Sequence, residues 1–270
     1  MKTNFVIILS EKVRIINPSS PLSLPIMNQK PTLNTVLSPA LLHLYNLQNT
    51  VVVIIDVFRA TSTIATALYN GAARVIPVLG VEECIAIGTK TADSITAGER
   101  DGKVIEGLQH GNSPAEYPRA FIEGKTLVIT TTNGTKLLHS ALDKGCAEVV
   151  TGSFVNLSSV CNYLVASNKN VVLGCSAWKD RFNLEDSLFA GAVVSRIKQH
   201  FSIHDDASLM AEDMFNLHRN DLFKFVRKTT HWHRLSAYGL EKDLEYCVTE
   251  DVANVLPVYR DGDLVINTHP

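Results

Sequence analysis

An unbroken apolar run that stops at a carboxylate, with an arginine three residues further on, is where this chain can do chemistry: Val51-Val-Val-Ile-Ile-Asp56-Val-Phe-Arg59-Ala-Thr-Ser-Thr63. A buried charge is costly unless it is paired or liganded, so Asp56 is expected to be neutralised by Arg59, by a metal ion, or by both. The plainer reading is a structural Asp–Arg pair closing a turn. A Val/Ile run of this length reads as a strand covered on both faces, and ligands in such folds sit beyond the strands' carboxyl ends.

Four further stretches carry polar residues in the same kind of place. Thr130-Thr131-Thr132-Asn133-Gly134-Thr135-Lys136 leaves an apolar run and enters a helical pattern, so its amides and hydroxyls and the helix dipole could hold an oxyanion. Asn-Gly and a Thr cap are also what an ordinary strand-to-helix turn uses. The spacing is not that of a Walker loop, which disfavours nucleotide hydrolysis by that route. Asn183-Leu-Glu185-Asp186 reads as a helix cap with acids complementing the dipole, and the same carboxylates are the hard oxygen ligands that Mg²⁺ prefers. Glu99-Arg100 and Asn112-Ser113 lie in a glycine-punctuated stretch between Gly98 and Pro118, read as a long functional loop, where paired charges and amide or hydroxyl donors suit an anion together with its metal.

Two other patterns carry less. Cys175 and Arg181 have the C-x₅-R spacing of cysteine-dependent phosphatases, but the intervening residues lack glycine and include Asp180, which would repel phosphate. His231-Trp-His233 has no third ligand nearby in sequence and reads as exposed or packed side chains.

Composition narrows the partners. Lys plus Arg number 25 against 27 Asp plus Glu, with no run of like charge, so neither nucleic acid nor a membrane surface is expected and the partner is small and anionic. The 5 cysteines are odd in number and scattered, which argues against a disulfide framework or a zinc ribbon and fits a reducing cytoplasm. Residues 1–26 hold one short apolar run followed by charges and three prolines, too little for a signal peptide or a membrane span, and are expected to be a disordered leader. Residues 27–270 form the functional unit, as one α/β domain or two lobes.

The elements that must position these residues alternate between two periods. Strands are expected at Val51–Ile55, Arg74–Leu79, Thr126–Thr130, Ala147–Gly152 and Asn170–Cys175. Helices are expected at Thr61–Asn70, capped by Gly71, and at Thr135–Leu142 and Asn156–Ser167. Another follows from Leu184, where Leu188, Ala192 and Ile197 recur near the helical period. The alternation means an α/β fold, a parallel or mixed sheet with helices on both faces, and the first three elements read as a β-α-β unit. The last quarter reads as mainly helical and closes with an apolar stretch near Val255 to Val258.

Taken jointly, DVFRATST at Asp56–Thr63, GER at Gly98–Arg100, GNSP at Gly111–Pro114, TTNGT at Thr131–Thr135 and LED at Leu184–Asp186 are distinctive. From roughly Val51 to Pro257 the chain resembles the 2-phosphosulfolactate phosphatase family, with these blocks in the family's order. The resemblance implies an α/β fold and Mg²⁺-dependent hydrolysis of 2-phosphosulfolactate to sulfolactate and phosphate, a step of coenzyme M biosynthesis. The chain departs from the family where C-A-G and a glycine-containing loop are usual and it has Cys175-Ser-Ala-Trp-Lys-Asp180, and where Phe189 replaces a small or sulfur side chain. An aspartate at a strand end also resembles the haloacid-dehalogenase phosphatases, but their second acid would fall at Phe58. The expected roles are Mg²⁺ binding by Asp56 with Glu185 or Asp186, catalysis by Asp56, Arg59 and Glu99, and substrate binding by Arg100, Asn112, Ser113 and the Thr131–Thr135 turn. A cysteine phosphatase using Cys175 and Arg181, and a phosphate sensor without turnover, are the alternatives. A homo-oligomer is compatible with all three.

Overall fold

A computed structural model describes residues 30–100, 103–131 and 133–268. The expectation for residues 1–26, and that for Thr132, lie outside the described residues. The chain opens with β1 (Leu33–Val36) and β2 (Thr50–Ile55), then α1 (Ala60–Tyr69), β3 (Arg74–Val78) and α2 (Val81–Lys90). β4 (Ser94–Arg100) and β5 (Lys103–Val104) follow, then the short α3 (Arg119–Ile122) and β6 (Thr126–Thr130). Next come α4 (Gly134–Asp143), β7 (Glu148–Gly152), α5 (Leu157–Ser167), β8 (Asn170–Cys175) and α6 (Leu184–Ile197). The last part is α7 (Asp206–His218), α8 (Leu222–Val226), α9 (Thr230–Ser236) and α10 (Glu241–Cys247), closed by β9 (Pro257–Arg260) and β10 (Asp263–Ile266).

One mixed sheet runs through the described residues, in the order β1-β8-β2-β7-β9-β10-β3-β6-β4-β5. β1, β8, β2 and β7 are mutually parallel, as are β3, β6 and β4. Three antiparallel steps, β7 to β9 to β10 to β3, join the two sets and reverse their sense. The expected β-α-β unit is therefore corrected. β2 and β3 are not neighbours, because the hairpin from the chain's end and β7 stand between them.

The fully apolar β2 is explained by burial on both sides. Val51, Val53 and Ile55 pack with Leu188, Phe189 and Val193 of α6, while Val52 and Ile54 join Ile64 and Leu68 of α1 and Leu137 and Leu138 of α4. Helices thus cover both faces. Leu127 and Ile129 of β6 belong to the same cluster as Val52 and Ile54, so the two parallel sets share a core. The turn after β6 comes to lie beside the turn after β2, with Gly134 against Asp56.

α6 is buried almost throughout, because it lies between the sheet and α7. Its closest approach to α7 is at Gly191, where a Cβ would stand 1.9 Å from the Ala211 carbonyl oxygen. Backbone cannot yield as a flexible side chain does, so Gly191→Ala must push the helices apart. The expected cost is about 3 kcal/mol of unfolding free energy, measurable by urea denaturation.

Candidate active site

The turn Asp56–Arg59 is held by the hydroxyls that follow it. The Asp56 amide donates to Thr61 Oγ1 at 3.1 Å, and Ser62 Oγ donates to the Val57 carbonyl at 2.9 Å. Thr63 Oγ1 donates to the Asn112 carbonyl at 3.0 Å, which ties the GNSP segment to α1. The run of Thr and Ser in a buried helix therefore has a stated use, since each of these hydroxyls closes a turn or joins two segments.

Asp56 opens onto a cavity of about 170 Å³ at the strand ends. Arg59, Glu99, Arg100, Asn112, Thr131 and Asn133 line it from the segments singled out by their polar residues. Trp178, Lys179, His231 and Arg234 complete the wall. Arg59 is buried, and its Nη1 donates to Asp243 Oδ2 at 2.8 Å, so the ion pair of Arg59 is with α10. Asn112 Oδ1 is buried without a hydrogen-bond partner.

The turn after β6 approaches Asp56 closely. A Cβ on Gly134 would lie 3.1 Å from Asp56 Oδ2 and 3.4 Å from Thr131 Oγ1, so glycine there keeps the backbone near the carboxylate. Thr131 Oγ1 and Thr135 Oγ1 are 2.9 Å apart, and Thr135 Oγ1 also donates to the Thr131 carbonyl. Thr135 braces the turn, while Thr131 and Asn133 reach the cavity. Ser113 accepts from the Ala115 amide at 3.2 Å and caps a short 3₁₀ turn, away from the cavity wall.

Glu185 and Asp186 lie behind Asp56 in the first turn of α6, both fully buried. Asp186 Oδ1 accepts from the Val57 amide at 2.9 Å, and Glu185 Oε1 is 2.5 Å from His231 Nδ1. The remaining oxygens, Glu185 Oε2 and Asp186 Oδ2, have no hydrogen-bond partner. Burial, with Glu99 and Glu185 adding to it, pushes the Asp56 carboxyl up to about 6 against the pull of His231. Burial and the neighbouring Glu185 and Asp56 hold Asp186 well above the ordinary carboxylate range.

His231 is one of the packed side chains expected, and it also lines the cavity. His231 is buried beneath Phe58, with ring centroids 5.8 Å apart, and belongs to the site. Its partner Glu185 precedes it by 46 residues, so spacing within His231-Trp-His233 could not disclose it. Asp243 and Arg234 were likewise missed, for want of any local pattern. The Gly98–Pro118 stretch is also less loop-like than expected, because Gly98, Glu99 and Arg100 end β4, Gly98 pairing with β6 and Glu99 and Arg100 with β5.

The cysteine alternative fares poorly. Cys175 is fully buried, and burial followed by the nearby Asp186 pushes its thiol well above its ordinary range. A thiolate is the required nucleophile, and this environment suppresses it. Arg181 is outside the cavity wall, hydrogen-bonded through its backbone to Trp178.

Fold and site together define a class: an α/β protein whose strand-end turns place cations and a glycine-containing turn around a half-open carboxylate. A family model described as 2-phosphosulpholactate phosphatase matches residues 36–262. The chain is 41% identical over 218 residues to a probable 2-phosphosulfolactate phosphatase of Thermotoga petrophila, covering 81% of this chain and 92% of the relative. It is 38% identical over 215 residues to one of Caldanaerobacter subterraneus subsp. tengcongensis, covering 78% and 88% of the two chains. A third, of Clostridium acetobutylicum, is 34% identical over 221 residues, covering 81% and 93%. The chain belongs to the 2-phosphosulpholactate phosphatase family, and with that it is a phosphoric monoester hydrolase.

Proposed function

We propose that this chain hydrolyses 2-phosphosulfolactate to sulfolactate and phosphate in the Asp56 cavity, with Mg²⁺ as cofactor. The observation that carries the reading is the convergence of Asp56, Glu99, Arg59, Arg100 and the Thr131–Gly134 turn on one small cavity. Its volume, about 170 Å³, suits a small phosphorylated acid better than a drug-sized ligand.

Two observations bear on the metal. Among the described residues no group of three or more His, Cys, Asp and Glu side chains is placed to hold an ion. Against that, the Asp56 and Asp186 carboxyls are both raised chiefly by burial, with Glu99 and Glu185 adding to the first and Glu185 and Asp56 to the second, and Glu185 and Asp186 each keep an unpartnered buried oxygen. The second observation weighs more for Mg²⁺, which commonly takes one or two carboxylates and fills its sphere with water and substrate phosphate oxygens. Asp56 with Glu185 or Asp186 would hold it. When bound, the ion neutralises charge developing on the phosphoryl oxygens.

The chain's own groups supply the rest. Arg59 and Arg100, with Thr131 and Asn133 of the turn after β6, hold phosphoryl oxygens, each donor contributing about 3 kcal/mol at the transition state. Glu99 orients a water and takes its proton as the water oxygen bonds to phosphorus. The ester P–O bond breaks, the departing alkoxide of sulfolactate takes a proton from solvent, and Glu99 returns its own to solvent. With Phe58 in place of a second acid, attack by water is favoured over an aspartyl-phosphate.

The test is phosphate release from a panel of small phosphorylated hydroxyacids, with and without EDTA. Metal-dependent release fastest with 2-phosphosulfolactate supports the reading, and binding without release would leave only a sensor. Cys175→Ser is expected to change turnover less than about threefold, because the thiol touches no cavity space. A loss beyond a hundredfold in the folded variant, or inactivation by thiol alkylation, would restore the cysteine mechanism. The step would belong to coenzyme M biosynthesis, and the free thiols of all five cysteines suit a reducing cytoplasm. No helix among the described residues is long and apolar enough to cross a membrane.

A further inference from the structure

The wall opposite Asp56 is made by a segment built against its own conformational preferences. Trp178 and Arg181 exchange backbone hydrogen bonds, the Trp178 amide to the Arg181 carbonyl at 2.8 Å and the Arg181 amide to the Trp178 carbonyl at 2.9 Å. The two residues between them, Lys179 and Asp180, both have left-handed backbones, with φ of 52° and 59°. That is a two-residue hairpin of the type that strongly favours Asn-Gly, here occupied by Lys-Asp. Ala177, just before it, is also left-handed, with φ of 56°. Non-glycine residues in such conformations cluster at ligand sites, where the surrounding structure enforces them.

The surroundings do enforce them here. Asp180 pairs with Lys136 of α4 at 3.3 Å, and its carbonyl accepts from Ser38 Oγ at 3.0 Å. Asp180 therefore points to α4 and is absent from the cavity wall, which removes the repulsion of phosphate expected from its sequence position. Lys179 is left facing the cavity, with its Nζ 4.5 Å from the centroid of the Trp178 ring. The guanidinium of Arg234, from α9, lies 4.0 Å from the centroid of the same ring. One indole thus orients two cations at the cavity wall.

We infer that Trp178, Lys179 and Arg234 form the pocket for the acidic groups of the substrate other than its phosphate, and so set specificity for a phosphomonoester of a multiply acidic small molecule. This deepens the reading of the site as a 2-phosphosulfolactate phosphatase and rests on it for the substrate's identity. 2-Phosphosulfolactate carries a carboxylate and a sulfonate beside its phosphate, and Arg59, Arg100 and the Thr131–Gly134 turn are committed to the phosphate. Two cations fixed by one aromatic ring match the two remaining anions.

Binding of the dephosphorylated acid separates this inference from the phosphatase reading. Isothermal titration with sulfolactate and with lactate, which lacks the sulfonate, needs no turnover. Wild type is expected to bind sulfolactate at least tenfold more tightly than lactate. Lys179→Asn and Arg234→Gln are each expected to weaken sulfolactate binding at least tenfold. Asn suits a left-handed position, so Lys179→Asn should lose affinity while its melting temperature stays equal or rises, an outcome that a merely structural role for Lys179 would not give. In kinetics, the ratio of kcat/KM for 2-phosphosulfolactate to that for isopropyl phosphate should fall at least tenfold in both variants, through KM. Equal binding of sulfolactate and lactate by wild type, or unchanged sulfolactate affinity in the folded variants, would overturn the inference. Selective sulfolactate binding without phosphate release from any ester would leave it standing and overturn the phosphatase reading.

Discussion

Asp56→Asn is expected to lower metal-dependent phosphate release at least about a thousandfold, since it removes the proposed ligand of a metal that would supply several kcal/mol of transition-state stabilisation. The same substitution is expected to raise stability in metal-free buffer at neutral pH. The Asp56 carboxyl is raised from 3.8 to about 6, chiefly by burial. Between those values the folded chain holds a proton on Asp56 that the unfolded one has lost, so this group's contribution to stability is fullest below pH 4 and is lost as pH rises through about 6. At pH 7.5 the penalty is up to about 3 kcal/mol, and Asn does not carry it. Thermal denaturation in EDTA across pH 4–8 reads this directly. A wild type whose stability climbs over that range, or an Asn variant less stable at pH 7.5, would contradict the electrostatic account of the site. Added Mg²⁺ should stabilise wild type and leave the variant unmoved.

Arg59→Ala carries the second large effect, on stability as much as on rate. Arg59 and Asp243 are both buried and joined at 2.8 Å, so deleting the guanidinium leaves a carboxylate without its countercharge. The expected loss is about 3–5 kcal/mol of unfolding free energy, read by urea denaturation. Lysine would not restore the function, because a point charge does not reproduce a guanidinium that faces Asp243 and the cavity together. The paired change Arg59→Met with Asp243→Leu is expected to recover most of the stability and none of the turnover. Recovery of both would reduce Arg59 to a structural partner of Asp243.

Elements whose burial is one-dimensional were legible in the sequence. β6, β8 and the start of α6 fall where the apolar runs and the helical period put them, and β2, α1, α4 and α5 are off by one or two residues at their ends. What sequence could not supply was pairing. β9 and β10 are short, and nothing local says that they insert between β7 and β3. β4 reads Ser-Ile-Thr-Ala-Gly-Glu-Arg, too polar and too rich in turn formers to look like a strand until β6 covers its edge. The site follows the same division. Asp56, Arg59, Glu99, Arg100, Asn112, Thr131 and Asn133 announced themselves as polar residues at apolar boundaries. Asp243, 184 residues from Arg59, and His231, 46 from Glu185, could be found only once the chain had folded. The left-handed Lys179 and Asp180 carry no glycine or asparagine to mark their turn.

The account stands on the strand-end turns gathering around one divalent cation and the ester it activates. A crystal structure with Mn²⁺ and vanadate, using the anomalous signal of the metal, tests that most directly. The expected result is a metal peak at coordination distance, about 2.1 Å, from an Asp56 carboxylate oxygen, with vanadate between it and Arg59, Arg100, Thr131 and Asn133. Vanadate bonded to Cys175, or a cavity that takes up vanadate with no metal beside Asp56, would contradict it.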